Sequence, residues 1–185
     1  MVVPQATAGE LRPPRTLRVP DEVSLFSTLR AGDQVLLSGT ILTARDAAHA
    51  RLVALLESGD QLPVDLNSQT IYYTGPTPTP EGKIIGSCGP TTSGRMDGFT
   101  PAILRAGVRG MIGKGPRSTE VIAAMRETGA VYFYAFGGCG ALYAQRVRSM
   151  KLLAFEDLGP EAIYRLEIEA FPLVVAIDGG GASIF

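Results

Sequence analysis

From Lys83 to Ile177 the sequence alternates between short β-forming runs and helix-forming runs, and this alternation limits the fold more than any other feature. KIIGS (83–87), GMIG (110–113), AVYFYAF (130–136), KLLAF (151–155) and LVVAI (173–177) read as strands. Between them, Thr100–Ala106, with Thr100 read as its N-cap and Pro101 at the first helical position, Ser118–Thr128, Gly137–Val147 and Gly159–Leu166 read as helices. A strand that returns parallel to its predecessor needs a crossover, and a helix is the usual one, so the pattern predicts an α/β domain with parallel pairings. Upstream, Leu17–Val19 is strand-like, Asp21–Leu29 predicts a turn or short helix, and QVLLSGTILT (34–43) has the β-branched, apolar character of a buried strand. AAHARLVALLE (47–57) is the clearest helix, with Gly59 placed to cap it in the left-handed conformation. A short strand follows at Thr70–Tyr73. GPTPTP (75–80) cannot continue any regular element, because every second residue fixes its backbone and lacks an N–H.

These elements form one domain over residues 17–185, preceded by a proline- and arginine-punctuated stretch at 1–16 expected to be a flexible tail. With 45% hydrophobic and 19% charged residues, the 185-residue chain can bury a real core. It has no apolar run long enough to cross a membrane and no signal-peptide pattern at its start, so a cytoplasmic location is expected. A formal charge of −1 gives no reason to expect nucleic acid. Two cysteines, Cys88 and Cys139, without a CxxC pair, argue against a disulfide framework and against a complete metal site.

The chemistry concentrates between Gly86 and Ser118. Here Arg95, Arg105, Arg109, Lys114 and Arg117 stand against a single acid, Asp97, among flexible glycines. Fixed cations beside closely approachable backbone suit a small carboxylate or phosphate. Asp97 reads as an anchor for its own loop or for a neighbouring arginine. Arg105 and Arg109 read as a solvated face, and Cys88 and Cys139 as buried or loop residues. A second place to receive an anion is the strand-to-helix junction at Arg45, Asp46 and His49, where the first amides of a helix are unpaired. His49 lies one helical turn after Arg45, so both can face one cleft. As the chain's one histidine it is either a proton carrier or a residue packed at a helix start. Nucleotide-loop readings fail: GGCG (137–140) lacks dinucleotide spacing, and Lys114 is followed by Gly115 rather than by a hydroxyl.

The strings RDAAH (45–49), GPTTSGRMD (89–97), GMIGKGPRS (110–118), FEDLGPEAI (155–163) and FPLVVAID (171–178) occur in consistent order from about residue 16 onward. Together they resemble the beta subunit of the iron–sulfur-dependent hydro-lyases of the class I fumarase and L-tartrate dehydratase group, equivalent to the C-terminal domain of the single-chain enzymes. The resemblance implies a swivelling β/β/α domain with a mixed sheet. It implies reversible hydration of fumarate to L-malate, or dehydration of tartrate, with a cysteine-bearing alpha subunit as partner and a small dicarboxylate as substrate. It also implies a [4Fe–4S] cluster in the complex. Such a cluster takes more thiolates than the two cysteines present, so its ligands are expected on the alpha subunit and this chain alone is expected to be inactive. By motif match, Thr91 corresponds to the residue that acts on the substrate C3 proton, Arg45 and Arg95 to arginines that hold carboxylates, and Lys114 to a substrate-binding lysine. Asp46 and Thr92 join them as candidate substrate contacts, and His49 as a candidate catalytic residue. The form SGRMD favours fumarate, with tartrate as the alternative substrate; a stand-alone dicarboxylate-binding module is the reading from a different functional class.

Overall fold

Strand β2, Gln34–Thr43, is the hub of the sheet. It runs parallel to β1 (Arg15–Val19) and β3 (Thr70–Tyr72) and antiparallel to β7 (Ile163–Ile177). The computed structural model describes residues 13–185; positions 1–12 of the expected tail lie outside the described residues, and Arg15 and Thr16 already belong to β1. The sheet continues from β3 to β4 (Gly110–Gly113) and β5 (Val131–Tyr134), each parallel to the last. It then passes to antiparallel β7 and to β6 (Val147–Ala154). Because β7 pairs with both β5 and β2, the strands β2, β3, β4, β5 and β7 form a closed circuit of hydrogen bonds. The parallel crossovers carry α1 (Asp46–Ser58), α2 (Thr100–Arg105) and α3 (Thr119–Thr128). A short α4 (Gly140–Ala144) leads into β6. The result is one α/β domain with a mixed sheet.

Side chains alternate across each strand, and the core divides accordingly. Tyr72, Ile112 and Phe133 enter one cluster with Leu37, Ile41, Phe171 and Val175. Their chain neighbours Ile71, Met111 and Tyr132 enter a second cluster, packed with Leu52 of α1, Leu104 of α2 and Met125 of α3. Consecutive residues thus seal both faces, which is why these parallel strands read as continuous apolar runs. Among the described residues no helix is long and apolar enough to cross a membrane.

Four local expectations change. Lys83–Ser87 is not a strand. Its neighbour is the 75–80 proline loop, where Pro76, Pro78 and Pro80 offer no N–H, so only Thr77 N–H reaches it, donating to the Ser87 carbonyl. Gly159–Leu166 is not a helix: a 3-10 turn at Glu156–Glu161 ends and Ile163 opens β7. Ile163, Leu166 and Ile168 bury there between β2 and β6, so sheet pairing overrides local helix propensity. The helix expected over 137–147 shrinks to α4, because Val147 already belongs to β6. Thr100 does not cap α2; it lies inside the helix, and its hydroxyl donates to the Met96 carbonyl.

Candidate functional site

Parallel strands place their carboxyl ends on one edge, where α/β sheets present loops to ligands. The chain leaves β2 into Arg45, β3 into Tyr73–Gly75, β4 into Lys114 and β5 into Phe136–Gly137. Residues Thr91–Ser93 dock onto this edge as a short added rung. Thr91 N–H donates to the Tyr73 carbonyl at 2.7 Å, Lys114 N–H to the Thr91 carbonyl at 3.3 Å, and Ser93 N–H to the Lys114 carbonyl at 2.8 Å. Thr92 and Lys114 form a parallel bridge, with the Thr92 side chain exposed. Backbone pairing therefore holds Thr91 beside Lys114. Gly113 is what permits it, for a Cβ there would overlap Ser93 Oγ. The 3-10 turn Ser93–Met96 then presents Arg95, whose side chain is 51% exposed.

Arg45 extends along Gly75, where a Cβ would stand 2.9 Å from its Nη1. Its Nη2 lies 3.7 Å from Asp46 and 3.5 Å from Glu161, close enough for attraction but too long for strong hydrogen bonds. Arg95 Nε–H, by contrast, donates to Asp46 Oδ1 at 2.8 Å. Glu161 Oε2 accepts from Ala47 N–H at 3.2 Å, so a carboxylate of this chain already occupies the helix N-terminus that the sequence left open to an anion. Lys114 stands in none of these pairs. Arg45 and Arg95 thus share two carboxylates, while Lys114, the third cation of this edge, has no carboxylate within ion-pair distance among the described residues.

Arg45 Nε, Asp46 Oδ2 and His49 Nε2 are buried polar atoms without partners, and only Thr70 Oγ1 joins them among the described residues. Buried polar groups are ordinarily satisfied, so their gathering in the first turn of α1 marks the place as unusual. His49 itself is fully buried, its ring edge-on to Tyr73 at 5.3 Å and tilted against Phe99 at 6.4 Å. Its Nδ1 lies 2.9 Å from the Arg45 carbonyl, which can only accept, so Nδ1 carries the hydrogen. Burial pushes its pKa down to about 4, against the opposing pull of that carbonyl, and Arg117 adds to the lowering. Full burial against Tyr73 and Phe99 fits the packing reading of this histidine.

The five-cation field expected between Gly86 and Ser118 does not assemble. Arg105 pairs with Glu127 on the surface, and Arg109 donates to the Leu104 and Val108 carbonyls. Arg117 is buried against Asp97, which does anchor its loop, accepting from both Arg117 Nε and Ser118 N–H. Arg95 and Lys114 remain at the edge, joined by Arg45 from the earlier junction. Sequence reasoning missed Glu161, Ser93 and Tyr132, whose hydroxyl meets Ser93 Oγ at 2.8 Å and donates to the Gly115 carbonyl. Glu161 and Ser93 had a signal in the quoted strings FEDLGPEAI and GPTTSGRMD; Tyr132 gave none, because its partners Ser93 and Gly115 are distant in sequence.

Two cysteines are fewer than the thiolates that hold an iron–sulfur cluster. Cys88 is buried, and burial pushes its thiol up to about 12, the opposite of what a thiolate ligand needs; Cys139 is a free, half-buried thiol. Among the described residues no three His, Cys, Asp or Glu side chains are grouped to hold a metal ion.

The family described as "Fumarase C-terminus" matches residues 10–185. Fumarate hydratase 2 of Leishmania major is 38% identical over 162 residues, 86% of this chain and 28% of that protein. The aerobic class I fumarate hydratase of Escherichia coli K12 is 40% identical over 151 residues, 80% of this chain and again 28% of the relative. A protein of Methanocaldococcus jannaschii named putative L(+)-tartrate dehydratase subunit beta is 39% identical over 163 residues, 85% of this chain and 84% of its own length. The chain thus spans little more than a quarter of the fumarate hydratases and most of the tartrate dehydratase subunit. The chain belongs to the fumarase C-terminus family.

Proposed function

We propose that the chain is the beta-type half of a hydro-lyase that interconverts fumarate and L-malate. The observation that carries this reading is the convergence of Arg45, Thr91, Arg95 and Lys114 on one sheet edge, with Arg45 donors free of hydrogen bonds and Lys114 without a carboxylate among the described residues. A small dicarboxylate needs that arrangement: separated cations for its ends and a proton-transfer group between them. Arg45 and Arg95 take the carboxylates, and Asp46, bonded to Arg95 and near Arg45, sets their spacing rather than meeting an anionic substrate itself. Lys114 and the arginines stabilise the charge that develops on a carboxylate as the C3 proton leaves. Thr91 takes that proton in dehydration and returns it in hydration. An alcohol is a poor base, and the adjacent Lys114 cation is the available means of lowering its pKa. The residues of this chain do not fit a four-iron cluster; in this reading the cluster, with the Lewis-acid chemistry it supplies when bound, is held by a cysteine-bearing alpha subunit. The tartrate reading is supported by one specific observation: a relative of matching length is named for L(+)-tartrate.

Two substitutions in the two-chain complex test these roles. Arg45→Met removes a group that holds substrate throughout, so KM rises by about tenfold to a hundredfold with a smaller change in kcat. Thr91→Val keeps shape and deletes the hydroxyl, so kcat falls by about a hundredfold or more while KM changes little. Turnover within a few-fold of wild type for both variants overturns the assignment.

A further inference from the structure

The sequence groups Arg117 with the anion-binding cations, since it follows Lys114 by three positions, but the fold turns it the other way. Its guanidinium has no exposed surface and lies over two rings at once, 5.4 Å from the centroid of Tyr73 and 5.2 Å from that of Tyr132. Nε–H donates to Asp97 Oδ1 at 2.7 Å, Nη2 to Thr100 Oγ1 at 2.7 Å, and Nη1 reaches the Tyr73 hydroxyl at 3.4 Å. Each of these neighbours also holds part of the Thr91–Asp97 segment. The Tyr73 carbonyl receives Thr91 N–H, the Tyr132 hydroxyl meets Ser93 Oγ, and Thr100 Oγ1 donates to the Met96 carbonyl. Asp97 itself ends the turn that carries Arg95 and binds Ser118 N–H at the start of α3.

We propose that Arg117 is a positioning residue for the proposed dicarboxylate site: one buried guanidinium joins the anchors of the segment that carries Thr91 and Arg95, and so fixes where those two groups meet substrate. The inference rests on the function proposed above. A buried ion pair is a poor source of net stability, since desolvating two charges offsets most of their attraction, and apolar replacements of similar volume are often neutral or stabilising. What this pair supplies is direction. A guanidinium can stack between two rings while donating in its plane to three partners, and a lysine cannot do both.

The test is the paired variant Arg117→Met with Asp97→Asn, which removes both charges, approximates the buried volume and keeps an acceptor for Ser118 N–H. Amide hydrogen exchange is measured on the chain alone, and steady-state kinetics on the complex with its alpha subunit. The expected result is a folded chain in which exchange at residues 91–97 rises about tenfold or more while β2 and β7 are unchanged, together with a KM for dicarboxylate raised about tenfold or more. Arg117→Lys, which keeps the charge without the planar fork, gives the same pattern and does not rescue; it is the readout should the paired variant not fold. Exchange in that segment within twofold of wild type, or KM within twofold despite faster exchange, overturns the proposal. A wild-type complex that turns over no dicarboxylate is a different failure: it removes the functional reading, while the exchange measurement still decides whether Arg117 holds the segment.

Discussion

Arg45 and Arg95 show how little the residue type alone says about a charge. Arg95 is half exposed, and its Nε–H is already engaged by Asp46; Arg45 is more enclosed yet gives no side-chain hydrogen bond to any described residue. A guanidinium with free donors in a partly desolvated place binds a carboxylate more strongly than one that must first leave a partner. His49 is the complementary case, a titratable group whose burial favours its neutral form. Its folded pKa of about 4 lies below the ordinary 6.5, so the unfolded chain binds the proton more readily. Its contribution to stability is therefore complete above pH 6.5 and is lost as pH falls toward 4, by on the order of 3 kcal/mol. Denaturant titrations at pH 7 and pH 4.5 on the wild type and on His49→Gln check this: the wild type loses more stability on acidification than the variant, and equal losses contradict the buried, neutral assignment.

Among the elements, those decided by local rules were legible in the sequence. β2 and α1 follow from an apolar β-branched run and from helix formers closed by Gly59, which takes φ 75°. Elements decided by a distant partner were not. Nothing within Lys83–Ser87 reveals that its neighbour is a proline loop with a single N–H to offer it, and nothing within 159–166 reveals that β2 and β6 stand ready to pair with it. The site divides in the same way. Arg45, Thr91, Arg95 and Lys114 stand out from their motifs as candidates that the fold brings to one edge, whereas the burial of Arg117 and the contacts of Glu161, Ser93 and Tyr132 depend on tertiary packing. Gly113 ties these levels together. A Cβ there would overlap Ser93 Oγ and press to 2.9 Å on the Tyr73 ring, lifting the added rung off β4. Gly113→Ala is expected to cost about 1–3 kcal/mol and to lower activity in the complex beyond what the remaining folded fraction explains. Chemical denaturation paired with activity per folded molecule checks it, and wild-type stability contradicts the close packing of the rung on β4.

For the molecule as a whole, closing the strands into one circuit gives a rigid frame and confines the chemistry to a single edge. The site on that edge is complete in cations and a hydroxyl, and it lacks thiolate ligands among the described residues. Under the proposed function this distribution is half an active site, with substrate held from one side and the reacting oxygen supplied from the other. The direct measurement is anaerobic reconstitution of this chain with a cysteine-bearing alpha subunit, iron and sulfide, following fumarate hydration and L-tartrate dehydration side by side. The account predicts turnover of one of them, fumarate in the primary reading, only when both chains are present. Turnover by the cluster-bearing chain alone, or none on any dicarboxylate with both chains present and the cluster intact, contradicts it.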